Sequence, residues 1–535
     1  MSDAIVLVGL SGAGKSSVAA AVAERLGRPL IDLDLDITAR QGAPPSEIIE
    51  TRGEAAFRAD EAAAVALACD VDGAVIATGG GAVIDPLNRW ALWHAGVVVW
   101  LDAPDELLLA RLAAHHEARP LLAGDAVARM ASQRARRERF YRAADVRLDA
   151  SAPLGEVVEA VVTASEMDVP AARRLFDAEV RRDHPMGPRA ARVILGMELD
   201  DDVYDDVLAQ VSTGTPVVVA DRRAAEKLPR LMAALPAGRQ LRIASGERRK
   251  RLRTVERLLE DASVMGAERG DAWVGVGGGV TTDMVGAAAA LYVRGVNFVA
   301  VTTTWLGMTD AAIGGKVAVD LSGAKNAAGA FWPPAAIVGD VATQRTLPRS
   351  RRLDGMAESL KHGIIGDPVL WSLVETRGRA ALRDDEAARY AVIDRSVELK
   401  LDVVDRDPFE QGERRTLNLG HTLGHALEVE SGYRLPHGKA VVLGLRAVAH
   451  MAQARGAVPG LAQRIDDVVR GLGYELTRDF DPAVVKAALT RDKKRIKGRQ
   501  RWILPMDIGR VIDVDDVSEA ELDEAIAHIH AEGTP

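Results

Sequence analysis

Apolar residues come in two kinds of run along the chain. Short, nearly continuous runs at Ala4–Val8, Pro29–Asp32, Ala74–Ala77 and Val97–Leu101 alternate with longer helical patterns such as Ser17–Leu26 and Leu154–Ser165. Short apolar runs of this kind predict buried strands, and their alternation with helices predicts a parallel α/β sheet. A second series repeats the pattern near Pro216–Ala220, Gln240–Ile243, Trp273–Val276 and Phe298–Val301. After about residue 346 strand signals fade, and amphipathic stretches at Glu386–Val404, Thr422–Glu430 and Val441–Arg455 predict a mostly helical region. Between the two series, residues 166–190 hold Pro170, a charged stretch and Pro185-Met-Gly-Pro188, and read as a linker. The expected layout is α/β throughout: a domain over 1–165, the linker, an α/β domain over 191–345 and a helical domain over 346–535.

A chain of 535 residues is too long for one core, which fits this division. No apolar run reaches the length of a membrane-spanning helix. The chain runs from Met1 straight into a strand, so no signal peptide and a cytoplasmic location are expected. Cys69 is the single cysteine, which excludes an internal disulfide and a cysteine-based zinc site. The net charge of −9 argues against nucleic acid as a partner. Basic clusters are therefore left to small anionic ligands or to solvated surface.

Gly9-Leu-Ser-Gly12-Ala13-Gly14-Lys15-Ser16 matches the phosphate-loop pattern between a predicted strand and helix. The glycines let backbone N–H groups turn toward phosphates at a helix N-terminus. Lys15 would reach the β- and γ-phosphates and Ser16 would hold Mg²⁺. Asp32 and Asp34 end the second strand, where ligands bind in open α/β sheets. One carboxylate could orient Mg²⁺ and the other could hold or deprotonate an alcohol.

In this order, Asp32-Leu-Asp34, Gly53-Glu-Ala-Ala-Phe57-Arg58, Gly79-Gly80-Gly81, Arg119-Pro-Leu-Leu122 and Arg137-x-x-Phe-Tyr141 resemble the shikimate kinase family across the first ~165 residues. The resemblance implies a P-loop kinase that moves the ATP γ-phosphate to shikimate. Gly12, Ala13, Gly14, Lys15, Ser16, Ser17 and Arg119 would bind ATP. Asp34, Arg58, Gly80 and Arg137 would bind shikimate, with Asp34 as base, and Ser16 with Asp32 would hold Mg²⁺. Arg139 stands where the family often has proline.

Further on, Trp273-Val-Gly-Val-Gly-Gly278-Gly279-Val-Thr-Thr-Asp283 reads as a strand entering a glycine-rich turn. Its amides could cradle a pyrophosphate, although the G-x-G-x-x-G fingerprint is incomplete. Three of the eleven histidines, His421, His425 and His437, fall within one short stretch. The first two share a helical face at i, i+4, a metal-binding spacing.

These residues, with Gly246-Glu247-Arg-Arg-Lys250, Arg294, Thr303-Thr304, Asp310, Gly314-Gly-Lys316, Lys325-Asn326, Glu358-Ser-Leu-Lys361 and Asp492-Lys493-Lys494, resemble the 3-dehydroquinate synthase family over roughly residues 214–530. The resemblance implies a Rossmann-like NAD domain and a helical metal domain, with Zn²⁺ or Co²⁺ on Glu358, His421 and His437. It moves His425 to substrate or proton transfer. Lys316, Lys361, His425 and Arg414 would be catalytic. Asp221, Glu247, Lys250, Gly278, Gly279, Asp283, Thr303, Thr304, Lys316, Lys325, Thr343 and Thr346 would line NAD⁺. Arg294, Asp310, Asn326, Asn418 and Lys493 would bind the heptulosonate phosphate. The family is commonly dimeric, which implies a homodimer through this half.

Departures from that family's pattern are Thr282 for glycine, Thr302 for proline, Ala311-Ala312 for hydroxyl residues, Ala324 for glycine and Lys439 near His437. The hairpin expected ahead of residue 214 also reads as abbreviated. The leading expectation is a bifunctional shikimate-pathway enzyme. The alternatives are a kinase fused to a different sugar-phosphate cyclase, or to a non-catalytic scaffold.

Overall fold

The computed structural model describes residues 3–114, 125–167, 172–182, 189–244, 246–322, 324–490 and 500–531. Arg119 and Lys493, expected at the two sites, lie outside the described residues. The chain divides into two compact units, Met1–Glu179 with Val193–Leu199, and Val180–Arg192 with Asp200–Pro535.

The first unit alternates strands and helices as the apolar runs predict. Its strands are β1 (Ala4–Val8), β2 (Leu30–Asp32), β3 (Val75–Ala77), β4 (Gly96–Asp102) and β5 (Val146–Asp149). They form a parallel sheet in the order β2-β3-β1-β4-β5, with Ile5 facing Val75 on one side and Val97 on the other. All five residues of β1 are buried, as a central parallel strand covered on both faces requires. The helices are α1 (Lys15–Leu26), α2 (Leu33–Gln41), α3 (Pro45–Arg52), α4 (Glu54–Cys69), α5 (Pro86–Ala95), α6 (Asp105–Ala114), α7 (Ala126–Tyr141) and α8 (Leu154–Ala164).

Two strands, β6 (Arg173–Arg182) and β7 (Arg189–Met197), correct the sequence reading. β6 runs through the stretch read as linker, and the hairpin read as abbreviated has strands of 10 and 9 residues. Flanking arginines and acids hid the signal, yet Leu175, Phe176 and Ala178 are buried. Phe176 packs edge-on against Phe140 at 6.0 Å, and Arg173 pairs with Asp145 at 3.2 Å.

The second unit begins with α9 (Asp201–Val211), β8 (Val217–Asp221), α10 (Arg222–Lys227), α11 (Pro229–Ala233) and β9 (Arg239–Ile243). It continues through α12 (Leu252–Val264), β10 (Trp273–Gly277), α13 (Gly279–Leu291), β11 (Phe298–Thr302), the antiparallel pair β12 (Lys316–Leu321) and β13 (Ala324–Phe331), and β14 (Ala336–Asp340). Strands β14-β11-β10-β8-β9 lie parallel in that order, and Arg192 of β7 extends the sheet by donating its N–H to Ala335. The helical region follows as α14 (Arg349–Gly366), α15 (Pro368–Ala381), α16 (Glu386–Arg406), α17 (His421–Glu430), α18 (His437–Ala454), α19 (Leu461–Leu472) and α20 (Pro482–Thr490). A hairpin of β15 (Trp502–Asp507) and β16 (Arg510–Val514), then α21 (Glu519–Ile529), close the unit. Among the described residues no helix is long and apolar enough to cross a membrane.

Helix α14 is the axis of this region, since every residue from Leu353 to Ile365 is buried. Gly355 lets it lie flat on Trp305, because a Cβ there would overlap the Trp305 side chain. Helix propensity alone would favour alanine by about 1 kcal/mol. Overpacking costs about 1–3 kcal/mol and wins at a contact this close. Gly355→Ala should therefore lower the unfolding free energy, by up to about 2 kcal/mol, in chemical denaturation.

Candidate active sites

In the first unit the phosphate loop leaves the C-terminal end of β1 and turns into α1 through Gly14, whose φ of 88° no β-carbon residue adopts cheaply. Lys15 is buried and donates to the carbonyls of Gly9 at 2.8 Å and Leu10 at 2.9 Å. Gly12, Ala13, Ser16 and Ser17 lie on the same loop and first helical turn. Asp32 accepts from the N–H groups of Asp34 and Leu35 and so caps α2.

A second cluster gathers around the turn after β3. A Cβ at Gly79 would lie 2.9 Å from Asp34 Oδ1 and 3.1 Å from Glu61 Oε1. One at Gly81 would meet the Arg58 guanidinium at 2.6 Å. One at Gly80 would lie 3.3 Å from Ser11 N in the phosphate loop and 3.4 Å from Arg137 Nη1. The Gly80 carbonyl accepts from Arg137 at 3.2 Å and from Tyr141 at 2.6 Å. The structure thus unites Asp34, Arg58, Gly80 and Arg137 beside the phosphate loop. It adds Glu61, which accepts from Arg58 at 2.7 Å and whose carboxyl burial pushes up despite that pairing. The signal for Glu61 was its place among Phe57, Ala64, Val65 and Ala68 on the buried stripe of α4.

In the second unit Glu358, His421 and His437 hold potential ligand atoms within 4.8 Å of one another. Helix α14 supplies the first, and the N-terminal residues of α17 and α18 supply the others. His421 Nδ1 lies 3.1 Å from the Leu419 carbonyl, which only accepts, so the proton sits on Nδ1. The Nε2 lone pair then faces Glu358 Oε1 at 3.4 Å, and His437 Nε2 faces the same oxygen at 3.3 Å. Glu358 is fully buried, and Oε1 has no hydrogen-bond partner. Acceptors facing one another around a buried carboxylate fit a divalent cation with nitrogen and oxygen ligands. His437 Nδ1 lies 3.4 Å from Glu428 Oε1, the outer carboxylate such a ligand commonly has. His425 stays close to both, with ring centroids 5.3 Å from His421 and 6.1 Å from His437, but the i, i+4 pair is not the cluster around Glu358.

Around this cluster cations and acids pair. Lys361 pairs with Glu358, and Lys400 with Asp310. Burial alone would raise the Asp310 carboxyl, but Lys400 holds it below the usual range. Lys316 pairs with Glu410, which accepts from Asn418 at 2.8 Å. Arg414 is buried and donates to the Pro408 and Gly314 carbonyls. Arg294 is exposed at the end of a one-turn helix, Tyr292–Arg294, and among the described residues forms no hydrogen bond or ion pair with this group. Sequence reasoning missed Lys400, Glu410 and Glu428. Lys400 could have been found as a lysine between Val397, Leu401 and Val404 on the buried face of α16.

The glycine-rich turn after β10 is closely packed, and only glycines fit it. A Cβ at Gly278 would lie 3.0 Å from Thr304, and one at Gly279 would lie 2.5 Å from Ala311. Bare backbone at the N-terminus of α13 fits a dinucleotide pyrophosphate. Asp283 in α13 pairs with Lys250, which donates to Asn326 at 2.6 Å. Lys325 meets Glu247 at 3.1 Å and Glu428 at 3.2 Å. Asp221 ends β8 and caps α10, with its Cβ 3.1 Å from a Cβ built at Gly277. Thr303 donates its N–H to Gly277, Thr343 donates to Asp340, and Thr346 donates to Thr343.

Most departures are accommodated. The Thr282 hydroxyl donates to Gly279 at 3.1 Å inside α13, and Thr302 donates to Val338 at 3.3 Å across the sheet. Ala311 fills the space above Gly279. Lys439 reaches Glu475 at 3.7 Å.

The fold and sites define a phosphate-loop kinase unit joined to an α/β-plus-helical unit with a Glu/His₂ cluster. Family models match accordingly: shikimate kinase over residues 11–165, and 3-dehydroquinate synthase N-terminal and C-terminal over 240–354 and 355–495. The 3-dehydroquinate synthase of Xanthomonas campestris pv. campestris (strain 8004) is 40% identical over 297 residues, 54% of this chain and 80% of that protein. That of Xanthomonas axonopodis pv. citri (strain 306) is 40% identical over 332 residues, 60% of this chain and 88% of its own. Among solved structures, ValA (2-epi-5-epi-valiolone synthase) from Streptomyces hygroscopicus subsp. jinggangensis 5008, with NAD⁺ and Zn²⁺ bound, is 28% identical. Its TM-score is 0.59 over 63% of this chain and 96% of ValA. A 2-deoxy-scyllo-inosose synthase shares the fold at TM-score 0.57 and 22% identity, over 65% of this chain and 99% of its own. The chain belongs to the 3-dehydroquinate synthase family and carries a shikimate kinase family domain ahead of that region.

Glu358→Gln should weaken Zn²⁺ binding by more than about 100-fold, beyond the effect typical of outer partners. It should also cost about 3–5 kcal/mol of stability by leaving Lys361 buried without its carboxylate. Competition with a chromophoric chelator and urea denaturation would measure the two effects.

Proposed function

We propose that the chain has two activities. One is phosphorylation of shikimate by ATP. The other is conversion of 3-deoxy-arabino-heptulosonate 7-phosphate to 3-dehydroquinate and phosphate. The observation that carries the first is the meeting of Asp34, Arg58 and Arg137 around Gly79–Gly81 beside the phosphate loop. The second rests on the Glu358–His421–His437 cluster, ringed by lysines, in a chain 40% identical to 3-dehydroquinate synthases.

In the kinase, the amides of Gly12 to Ser17 receive the ATP phosphates, and Lys15 exchanges its carbonyl partners for phosphate oxygens. Ser16, with Asp32 through water, holds Mg²⁺. Arg58 and Arg137 take the shikimate carboxylate as planar bidentate donors. Asp34 accepts the proton of the attacking hydroxyl as the phosphoryl group transfers. Arg119 supplies a further cation to the phosphates.

In the synthase, Glu358, His421 and His437 hold Zn²⁺ or Co²⁺, and the glycine-rich turn at Gly278 and Gly279 holds NAD⁺. Asp221, Glu247, Lys250, Asp283, Thr303, Thr304, Lys325, Thr343 and Thr346 line that site. When bound, the metal lowers the pKa of a substrate hydroxyl and NAD⁺ takes up and returns a hydride. Lys316, Lys361, Arg414, Arg294 and Lys493 neutralise the polyanionic substrate. Asp310, Asn326 and Asn418 orient its hydroxyls, and His425 moves a proton. A different cyclisation substrate is not favoured, because the 40%-identical relatives are 3-dehydroquinate synthases whereas the valiolone synthase is 28% identical. The enzyme is a cytoplasmic one on this reading, and the synthase half associates as a homodimer. Sedimentation equilibrium should give twice the chain mass.

The decisive experiment follows phosphate release from the heptulosonate phosphate with NAD⁺ and Zn²⁺, the product being identified by mass. Formation of dehydroquinate is expected, and phosphate release without it would overturn the substrate. Lys15→Ala should lower shikimate phosphorylation more than about 100-fold and leave phosphate release unchanged, and His421→Ala should do the reverse. Loss of both activities from either variant in folded protein would contradict separate sites.

A further inference from the structure

Glu428 is a buried carboxylate at the third-last position of α17, and one of its oxygens serves two neighbours. Oε1 lies 3.4 Å from His437 Nδ1 and 3.2 Å from Lys325 Nζ, while Oε2 is buried with no hydrogen-bond partner. Lys325 has a second acid, Glu247, at 3.1 Å, and the two acids raise its pKa against the lowering effect of burial. The next residue, Asn326, holds a left-handed backbone with φ of 50°. Its N–H donates to Asp320 at 2.7 Å, and its side-chain oxygen accepts from Lys250. Lys250 in turn pairs with Asp283 on α13, the helix that starts at the glycine-rich turn proposed to hold NAD⁺. A continuous polar chain therefore runs from Glu358 through His437, Glu428 and Lys325–Asn326 to Lys250 and Asp283. Within this chain Glu428 is the residue that joins the helical region to Lys325 of β13.

Resting on the two-ligand reading above, we propose that Glu428 is a positioning residue through which occupancy of the metal site and of the dinucleotide site are coupled. Metal on His437 Nε2 fixes the ring, so that Nδ1–H is aimed at Glu428 Oε1. That contact fixes the carboxylate where it anchors Lys325, and Lys325 so held keeps its neighbour Asn326 against Lys250. The groups NAD⁺ must find ordered are ordered beforehand, so the first ligand bears an ordering cost the second does not meet. The sign is positive cooperativity, and linkage makes it equal in both directions. A carboxylate present only to neutralise Lys325 would leave the two affinities independent.

The test uses the full chain stripped of metal and dinucleotide, with NAD⁺ affinity measured by calorimetry with and without saturating Zn²⁺, and Zn²⁺ affinity with and without NAD⁺. The wild type should show the same enhancement in both directions, at least about fivefold as in typical allosteric coupling. In Glu428→Gln the amide is a weaker acceptor for Lys325, and both ligands should bind with an enhancement below twofold. Lys325→Met cuts the chain beyond Glu428, so the ratio of each ligand's affinity with and without the other should again fall below twofold. Independent binding in the wild type, or full enhancement in both variants, would overturn the coupling and leave the proposed activities standing. Failure of the wild type to bind either ligand would overturn the two-ligand reading itself, and the coupling with it.

Discussion

A carboxylate without solvent costs several kcal/mol unless cations surround it, and Glu358 has no exposed surface. Much of the second unit can be understood as the compensation of that one charge. Lys361, one turn along the same helix and itself buried, supplies the nearest cation. His421, with its proton on Nδ1, directs a lone pair at Oε1, and a cation shared with His437 would satisfy it. The helices carrying these groups must then be held within tenths of an ångström. The unbroken burial of α14 and its flat contact at Gly355 with Trp305 do this. Beneath them His362, pushed down to about 3 by burial and Lys361, stays neutral, so it adds no charge to the compensation.

Both units place their chemistry at the C-terminal ends of parallel strands, where helix N-termini leave amides without partners. In the first unit that position holds a loop of glycines after β1. In the second the same position after β10 holds Gly278 and Gly279, packed against Thr304 and Ala311. The two units differ in what faces the amides. Around Gly79–Gly81 it is a pair of arginines suited to a planar carboxylate, and in the second unit it is a polar chain leading to the Glu/His₂ cluster.

Much of this was legible in the sequence because the chemistry needs fixed spacings. The phosphate loop, Asp34, Arg58 and Arg137 meet as expected, and so do Glu358, His421 and His437. Strands β1 to β4 and β8 to β11 stood out as apolar runs. Others did not, for identifiable reasons. β6 carries arginines on the faces of its buried Leu175 and Phe176, so its period is masked. β15 contains Pro505 at a shift in register with β16, and β13 is rich in alanine and glycine with little side chain to mark a face. Glu61, Lys400 and Glu428 were missed because pattern reading treats a charge on an apolar face as noise. Burial shows each to be paired, and such pairs are where function concentrates.

A further regularity unites the two sites. Several of the cations assigned to anionic substrates already hold acidic partners in the free protein: Arg58 with Glu54 and Glu61, Lys316 with Glu410, Lys361 with Glu358. Lys15 and Arg414 rest on main-chain carbonyls in the same way. Unpaired, such clusters of like charge would repel at short range in a medium of low dielectric, at a cost to the fold. Paired, they remain ordered and close to their working positions, and binding becomes an exchange of one anion for another. The exchange lowers the affinity for any anion that cannot satisfy the whole cluster, because a displaced glutamate must be compensated elsewhere. On the proposed function, selectivity for a polyanion of the right shape then comes from the acids as much as from the cations, which fits the place of Glu61 and Glu410 beside Arg58 and Lys316.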